Sequence, residues 1–185
     1  MTSYSTERNI RRMLPLIRMM QAYLPLRWSG RLNRWSLRRA RMPVGVVRRP
    51  ASADGVPCDW LIPDKSPDDR ALLYLHGGGF VYGQTQPHLE LGAYLAQKMG
   101  VRILMVDYRL APAHPFPAAL DDCVTVYRWL RKQDFPARKI AIAGDSAGGN
   151  LTITTLMQLR DSGEQLPVAA VCLSPVADFS PKDNS

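Results

Sequence analysis

The stretch Lys139-Ile140-Ala141-Ile142-Ala143-Gly144-Asp145-Ser146-Ala147-Gly148-Gly149-Asn150 passes from an apolar run through a glycine-flanked serine into a helical segment. Residues 139–143 are short and apolar, as a strand buried on both faces should be. Gly144 and Gly148 bracket Ser146 in a G-x-S-x-G spacing, and residues 148–160 predict a mostly apolar helix. The glycines leave room for a tight turn that exposes the hydroxyl, and the helix start aims its positive dipole end toward a developing anion. Alone, such a serine can equally well cap the helix or bind a phosphate. Its neighbours in sequence carry the rest of the argument.

Working outward, a second strand-then-glycine pattern precedes it. Residues 71–75 form an apolar run ending in His76-Gly77-Gly78-Gly79-Phe80. Three consecutive glycines let the backbone approach a ligand closely and turn N–H groups toward it, as an oxyanion requires. Open parallel sheets place ligands beyond the carboxyl ends of their strands, where both glycine turns fall. Residues 44–47 and 58–62 predict early strands, 101–106 another buried strand and 168–173 a last one. A helix is predicted over 86–99, and Leu120, Cys123, Val124, Tyr127 and Leu130 share one face of a second, after the Pro-rich loop 111–117. Strands alternating with helices predict an α/β architecture with a mainly parallel sheet.

The 185 residues, 46% hydrophobic and 22% charged, suit one globular domain with a sizeable core. No apolar stretch approaches the roughly 18 to 20 residues of a membrane span. No signal peptide is expected, so a cytoplasmic location is. Cys58, Cys123 and Cys172 are odd in number, far apart and without metal-ligand spacing, and are expected as free or buried thiols.

The net charge of +8 is unevenly distributed: residues 1–49 carry 12 Arg and no Lys against Glu7, a sum of +11, leaving −3 for residues 50–185. The division at 49/50 separates a basic helical arm from the body. Within the arm, Pro15 interrupts Ile10, Met13, Leu14 and Ile17, while Trp28, Leu32 and Trp35 recur at helical spacing among Arg27, Arg31, Arg34 and Arg38. The favoured expectation is a pair of helices laid over the protein's own body, with attachment to an anionic membrane surface as the alternative. The body lacks a basic patch interleaved with aromatics, so no nucleic-acid partner is expected.

Together these motifs resemble the hormone-sensitive-lipase-like branch of the α/β-hydrolases, a group of carboxylesterases and lipases. The resemblance rests on residues 76–80, 107–112, 114–122, 144–151 and 173–178, and covers roughly residues 55–180. It implies a three-layer α/β-hydrolase fold with a mainly parallel sheet, ending after about the sixth strand, and an N-terminal cap arm. It implies a small ester substrate, no cofactor and no metal. Ser146 would be the nucleophile and the amides of Gly78, Gly79 and Ala147 the oxyanion hole, supported by His76, Gly77, Gly144, Asp145 and Gly148. Ala113 stands where the family usually has Glu, which implies loss of a buried ion pair and of local stability.

A triad of this fold runs Ser, then Asp or Glu, then His along the chain. His76, His88 and His114 all precede Ser146 and are expected in structural roles. Asp161, Asp178 and Asp183 follow it, but the resemblance places the family's acid beyond residue 185. Neither triad acid nor base is therefore expected in this chain, which reads as the N-terminal part of a longer product. The strand 168–173 would then be an apolar sheet edge in need of cover from a C-terminal complement or a second copy. Two function classes follow: a serine ester hydrolase lineage inactive as the isolated chain, or a non-catalytic fragment or interaction subunit, including one held at a membrane surface by the arm.

Overall fold

The computed structural model of the protein describes residue 37 and residues 39–177. The expectations for residues 1–36, including the apolar stripe of Ile17, Trp28, Leu32 and Trp35, lie outside the described residues, as do Asp178 and Asp183. Six strands form one sheet: β1 (Val46–Ala53), β2 (Val56–Pro63), β3 (Ala71–Leu75), β4 (Arg102–Val106), β5 (Ile140–Asp145) and β6 (Ala169–Leu173). Their spatial order is β1-β2-β4-β3-β5-β6. The neighbours β4-β3-β5-β6 run parallel, while β2 is antiparallel to both β1 and β4.

Helices α1 (Gln86–Met99), α2 (Ala118–Lys132) and α3 (Ala147–Asp161) provide the crossovers. Along β3, Ala71, Leu73 and Leu75 belong to one buried cluster and Leu72 and Tyr74 to another; along β4, Leu104 and Val106 face the first and Ile103 and Met105 the second. This alternation requires apolar cover on both faces, which explains why these strands carry almost no polar residues. Leu89, Ala93 and Ala96 of α1 close the second cluster, whereas Val124, Tyr127 and Leu130 of α2 and Leu151 and Leu159 of α3 close the first. Three layers result, as expected.

The first two strands are longer than the expected 44–47 and 58–62. They form a hairpin turning at Asp54-Gly55, both at positive φ, and β1 crosses the 49/50 division between arm and body. Arg48 lies in this hairpin because Asp59, two positions off its direct partner on the facing strand, accepts two hydrogen bonds from its guanidinium, at 2.8 and 2.7 Å. The nearest described part of the arm is attached to the body: Leu37, Ala40 and Met42 pack on the second cluster, and the Arg41 N–H donates to Glu90 Oε1.

At the far side, β6 is an edge, and Val171 and Leu173 are 49% and 45% exposed despite their apolar character. One expectation is corrected. Ala113 is exposed, so no buried ion pair is lost there. The buried carboxylate of this region is Asp122, which receives the Arg109 backbone N–H at 2.8 Å and its guanidinium at 2.8–3.0 Å. Among the described residues no helix is long and apolar enough to cross a membrane.

Candidate active site

β5 ends at Asp145 and α3 begins at Ala147, which leaves Ser146 alone at the turn with φ 51° and ψ −115°. A side-chain-bearing residue in that region is strained, and strain of this kind marks positions the fold holds for a purpose. The turn is tight because it abuts the end of β3. A Cβ on Gly148 would lie 1.9 Å from the Leu75 carbonyl oxygen, and one on Gly144 would lie 2.3 Å from that of Gly148. Both glycines of the G-x-S-x-G spacing are thus set by backbone packing. The Ser146 N–H donates to Leu173 O at 2.9 Å, and its carbonyl accepts from the N–H groups of Asn150 and Val176, each at 3.1 Å. The turn is therefore braced from β6 and the segment after it.

Leu75 pairs with Gly144 in the adjacent strand, so the two glycine turns leave the sheet side by side. Gly78, Gly79 and Phe80 all have positive φ, and the Gly78 carbonyl accepts from Val81 and Tyr82 at 3.2 and 2.9 Å, which curls the loop back on itself. The Gly77 N–H donates to Asp145 Oδ1 at 3.0 Å. Those of Gly78 and Gly79 have no acceptor among the described residues. Ala147 is the first residue of α3, so its N–H has no carbonyl a helical turn earlier. The three amides that the sequence leads one to expect at an oxyanion hole, those of Gly78, Gly79 and Ala147, thus lie on the two adjoining turns.

The histidines have separate tasks. His76 is fully buried, stacks on Tyr108 with ring centroids 4.3 Å apart, and donates from Nδ1 to Gly77 O at 2.7 Å. Burial pushes its pKa down to about 4, so it is neutral at physiological pH and supports the glycine loop through Gly77. His88, the third residue of α1, accepts the Thr85 N–H on Nδ1 at 3.1 Å and points Nε2 at Asp145 Oδ2, 3.8 Å away. His114 is exposed. Among the described residues, none of the three reaches the Ser146 hydroxyl with a hydrogen bond.

Asp145 collects donors: the Gly77 N–H and the Tyr74 hydroxyl, each at 3.0 Å from Oδ1. Its desolvation raises the pKa, but His88, Tyr74 and the Gly77 amide outweigh that and hold the carboxyl below the usual range. Tyr74 and the His88 contact went unseen in the sequence reading. The one local cue was a tyrosine inside an otherwise aliphatic strand, since a buried phenol needs a partner.

Beside the glycine turns opens a cavity of about 510 Å³ lined by Gly79, Phe80, Phe116, Leu120, Leu151 and Thr154, among others. Its lining is largely apolar, as suits a small organic ligand. His114 stands on its wall. No cluster of three or more His, Cys, Asp or Glu able to hold a metal occurs among the described residues.

Comparison with known proteins brings names to this geometry. The family described as alpha/beta hydrolase fold matches residues 72–185. An acetyl-hydrolase of Streptomyces hygroscopicus is 45% identical over 122 residues, covering 66% of this chain and 40% of that protein. The hormone-sensitive lipase of Mus musculus is 40% identical over 119 residues, 62% of this chain and 16% of the lipase. A crystal structure of an esterase from the bacterial hormone-sensitive lipase family superposes with a TM-score of 0.78 at 39% identity, covering 91% of this chain and 58% of that one. The chain thus spans less than two thirds of the length of each of these relatives.

Proposed function

Since this chain belongs to the alpha/beta hydrolase family, in its hormone-sensitive-lipase-like branch, we propose that it is the nucleophile-bearing part of a carboxylic-ester hydrolase. The observation that carries the proposal is the strained Ser146 turn lying beside a glycine loop with unengaged amides. In this reading the Ser146 oxygen attacks the ester carbonyl and its proton passes to a general base. The tetrahedral oxyanion is held by the amides of Gly78, Gly79 and Ala147, the alcohol leaves with a proton, and water releases the acyl group from Ser146. The apolar cavity beside Gly79 and Phe80 takes an organic substituent of a small ester, and the names of the relatives support that class of substrate.

The base is not among the three histidines of this sequence. His76 is sealed in the core and neutral, His88 is engaged by Thr85 and Asp145, and His114 makes no bond to Ser146. We therefore assign the acid and base to residues outside this sequence, and predict that the 185 residues alone hydrolyse esters negligibly. The exposed apolar edge at β6 favours a further polypeptide segment there, whether joined to the chain or supplied by a partner.

Joining the chain to a downstream segment carrying Asp and His, and following release of p-nitrophenol from short-chain esters, tests the function. Turnover should appear and should fall by about a thousandfold or more in Ser146→Ala. Turnover that survives Ser146→Ala would remove the proposal.

A further inference from the structure

Asp145 directly precedes Ser146, and Gly77 directly precedes the two loop glycines assigned to the oxyanion hole. The Asp145 carboxylate joins them: Oδ1 accepts the Gly77 N–H at 3.0 Å. The fit is close enough that a Cβ on Gly77 would lie 2.2 Å from Asp145 Oδ2. The same carboxylate is fixed from two further elements, by the Tyr74 hydroxyl of β3 on Oδ1 and by His88 of α1 beside Oδ2. Because His88 Nδ1 accepts the Thr85 N–H, the neutral ring carries its proton on Nε2, which faces the carboxylate.

We propose that Asp145 is a positioning residue that clamps the oxyanion loop to the nucleophile turn through Gly77, with Tyr74 and His88 holding the carboxylate in place. This rests on the reading of Ser146 as nucleophile and of the Gly78, Gly79 and Ala147 amides as the anion site. A run of three glycines has more conformational freedom than any other tripeptide, so its amides converge on one point only if something outside the loop fixes a peptide plane. The Gly77 N–H bond to Asp145 fixes the first of them. A bond to a charged acceptor is roughly twice as strong as a neutral one, which suits a clamp that works against that freedom. The carboxylate's oxygens are turned to Gly77, Tyr74 and His88, so its charge is held by neutral donors and directed away from a site meant for another anion. The arrangement also explains why position 77 is glycine although its own N–H is already engaged.

The test uses the 185-residue chain and butylboronic acid. The Ser146 oxygen bonds to boron and its proton passes to solvent, leaving a tetrahedral borate anion where the reaction's oxyanion would stand. Affinity, followed by boron NMR, then reports on the loop rather than on general-base catalysis. Asp145→Ala should weaken binding about tenfold or more, and Asp145→Asn, which keeps a neutral acceptor for Gly77 but loses the charge and the acceptor facing His88, should lose clearly less than Asp145→Ala. Gly77→Ala should be harmful in the wild-type background and add less than about threefold in the Asp145→Ala background, a coupling expected only of groups in contact.

Amide exchange at Gly77 gives a second readout that needs no ligand: slow in wild type and Asp145→Asn, at least about tenfold faster in Asp145→Ala. Unchanged boronate affinity in Asp145→Ala, or additive effects at 77 and 145, overturns the proposal. If Asp145→Ala does not fold, fast Gly77 exchange in the wild-type protein overturns it and slow exchange retained in Asp145→Asn supports it. If the wild-type chain binds no boronate, the reading of Ser146 fails, and Gly77 exchange still decides the clamp.

Discussion

Gly148 packs so tightly against Leu75 that a Cβ placed on it would lie 1.9 Å from the Leu75 carbonyl oxygen. The atom it would meet belongs to the backbone of a central strand, which cannot swing aside as a side chain does. The contact fixes the height of the Ser146 turn above β3. Gly148→Ala should therefore lower stability by about 3 kcal/mol or more, at the upper end for overpacking. Urea denaturation of the purified variant measures this, and a loss below about 1 kcal/mol would show that the turn relaxes.

The exposed position of Ala113 and the buried one of Asp122 make opposite predictions. Ala113→Glu should change stability by no more than about 0.5 kcal/mol, as surface substitutions do. Asp122→Ala should cost about 2 kcal/mol, because it strands the Arg109 backbone N–H and guanidinium. A large gain from Ala113→Glu in thermal unfolding would restore the idea of a missing ion pair at 113.

His76 makes folding sensitive to mild acid. Its pKa falls from 6.5 to about 4 in the folded protein because burial disfavours the charged ring. The unfolded chain therefore takes up the proton first, and stability present above about pH 6.5 drains away as pH falls toward 4, approaching about 3 kcal/mol. Asp145, held below the usual carboxylate range, adds its own loss only at lower pH. Urea midpoints taken from pH 7.5 to 4.5 should show the decline, and a flat profile would contradict the burial of a neutral imidazole.

The three thiols should react in a fixed order. Cys58 and Cys123 are buried, with burial raising the first to about 12 and the second well upward, whereas Cys172 lies partly exposed on the edge strand β6. Iodoacetamide should label Cys172 first under native conditions, and the other two only as the protein opens. Equal rates at all three would mean that the core around Cys58 and Cys123 is open to solvent.

The central sheet was readable because its strands are short apolar runs punctuated by glycine or proline, and β3, β4 and β6 differ from the sequence reading by a residue at most. The β1–β2 hairpin was underestimated because Arg48, Arg49 and Asp59 interrupt the apolar pattern. Asp54-Gly55, a strong hairpin signal, was the cue that could have found its length. The turns at Gly78-Gly79 and at Ser146 were legible from glycine spacing, since such turns depend on local sequence. The ties from Asp145 to Tyr74 and Gly77 were not, because they join residues 71 and 68 positions apart. Only packing β3 beside β5 reveals them.

The measurement that bears most directly on Ser146 as a nucleophile awaiting its base is phosphonate labelling of the 185-residue chain with and without imidazole. Imidazole supplies in solution the base that the proposed function assigns to residues outside this sequence, and a general base in place is worth about a hundredfold or more. Labelling should be slow alone, should rise with the concentration of neutral imidazole, should map to Ser146 by peptide mass and should vanish in Ser146→Ala. Rapid labelling at Ser146 without imidazole would mean that His76, His88, His114 or a second copy already serves as the base, contradicting the account of this chain as a hydrolase without its base.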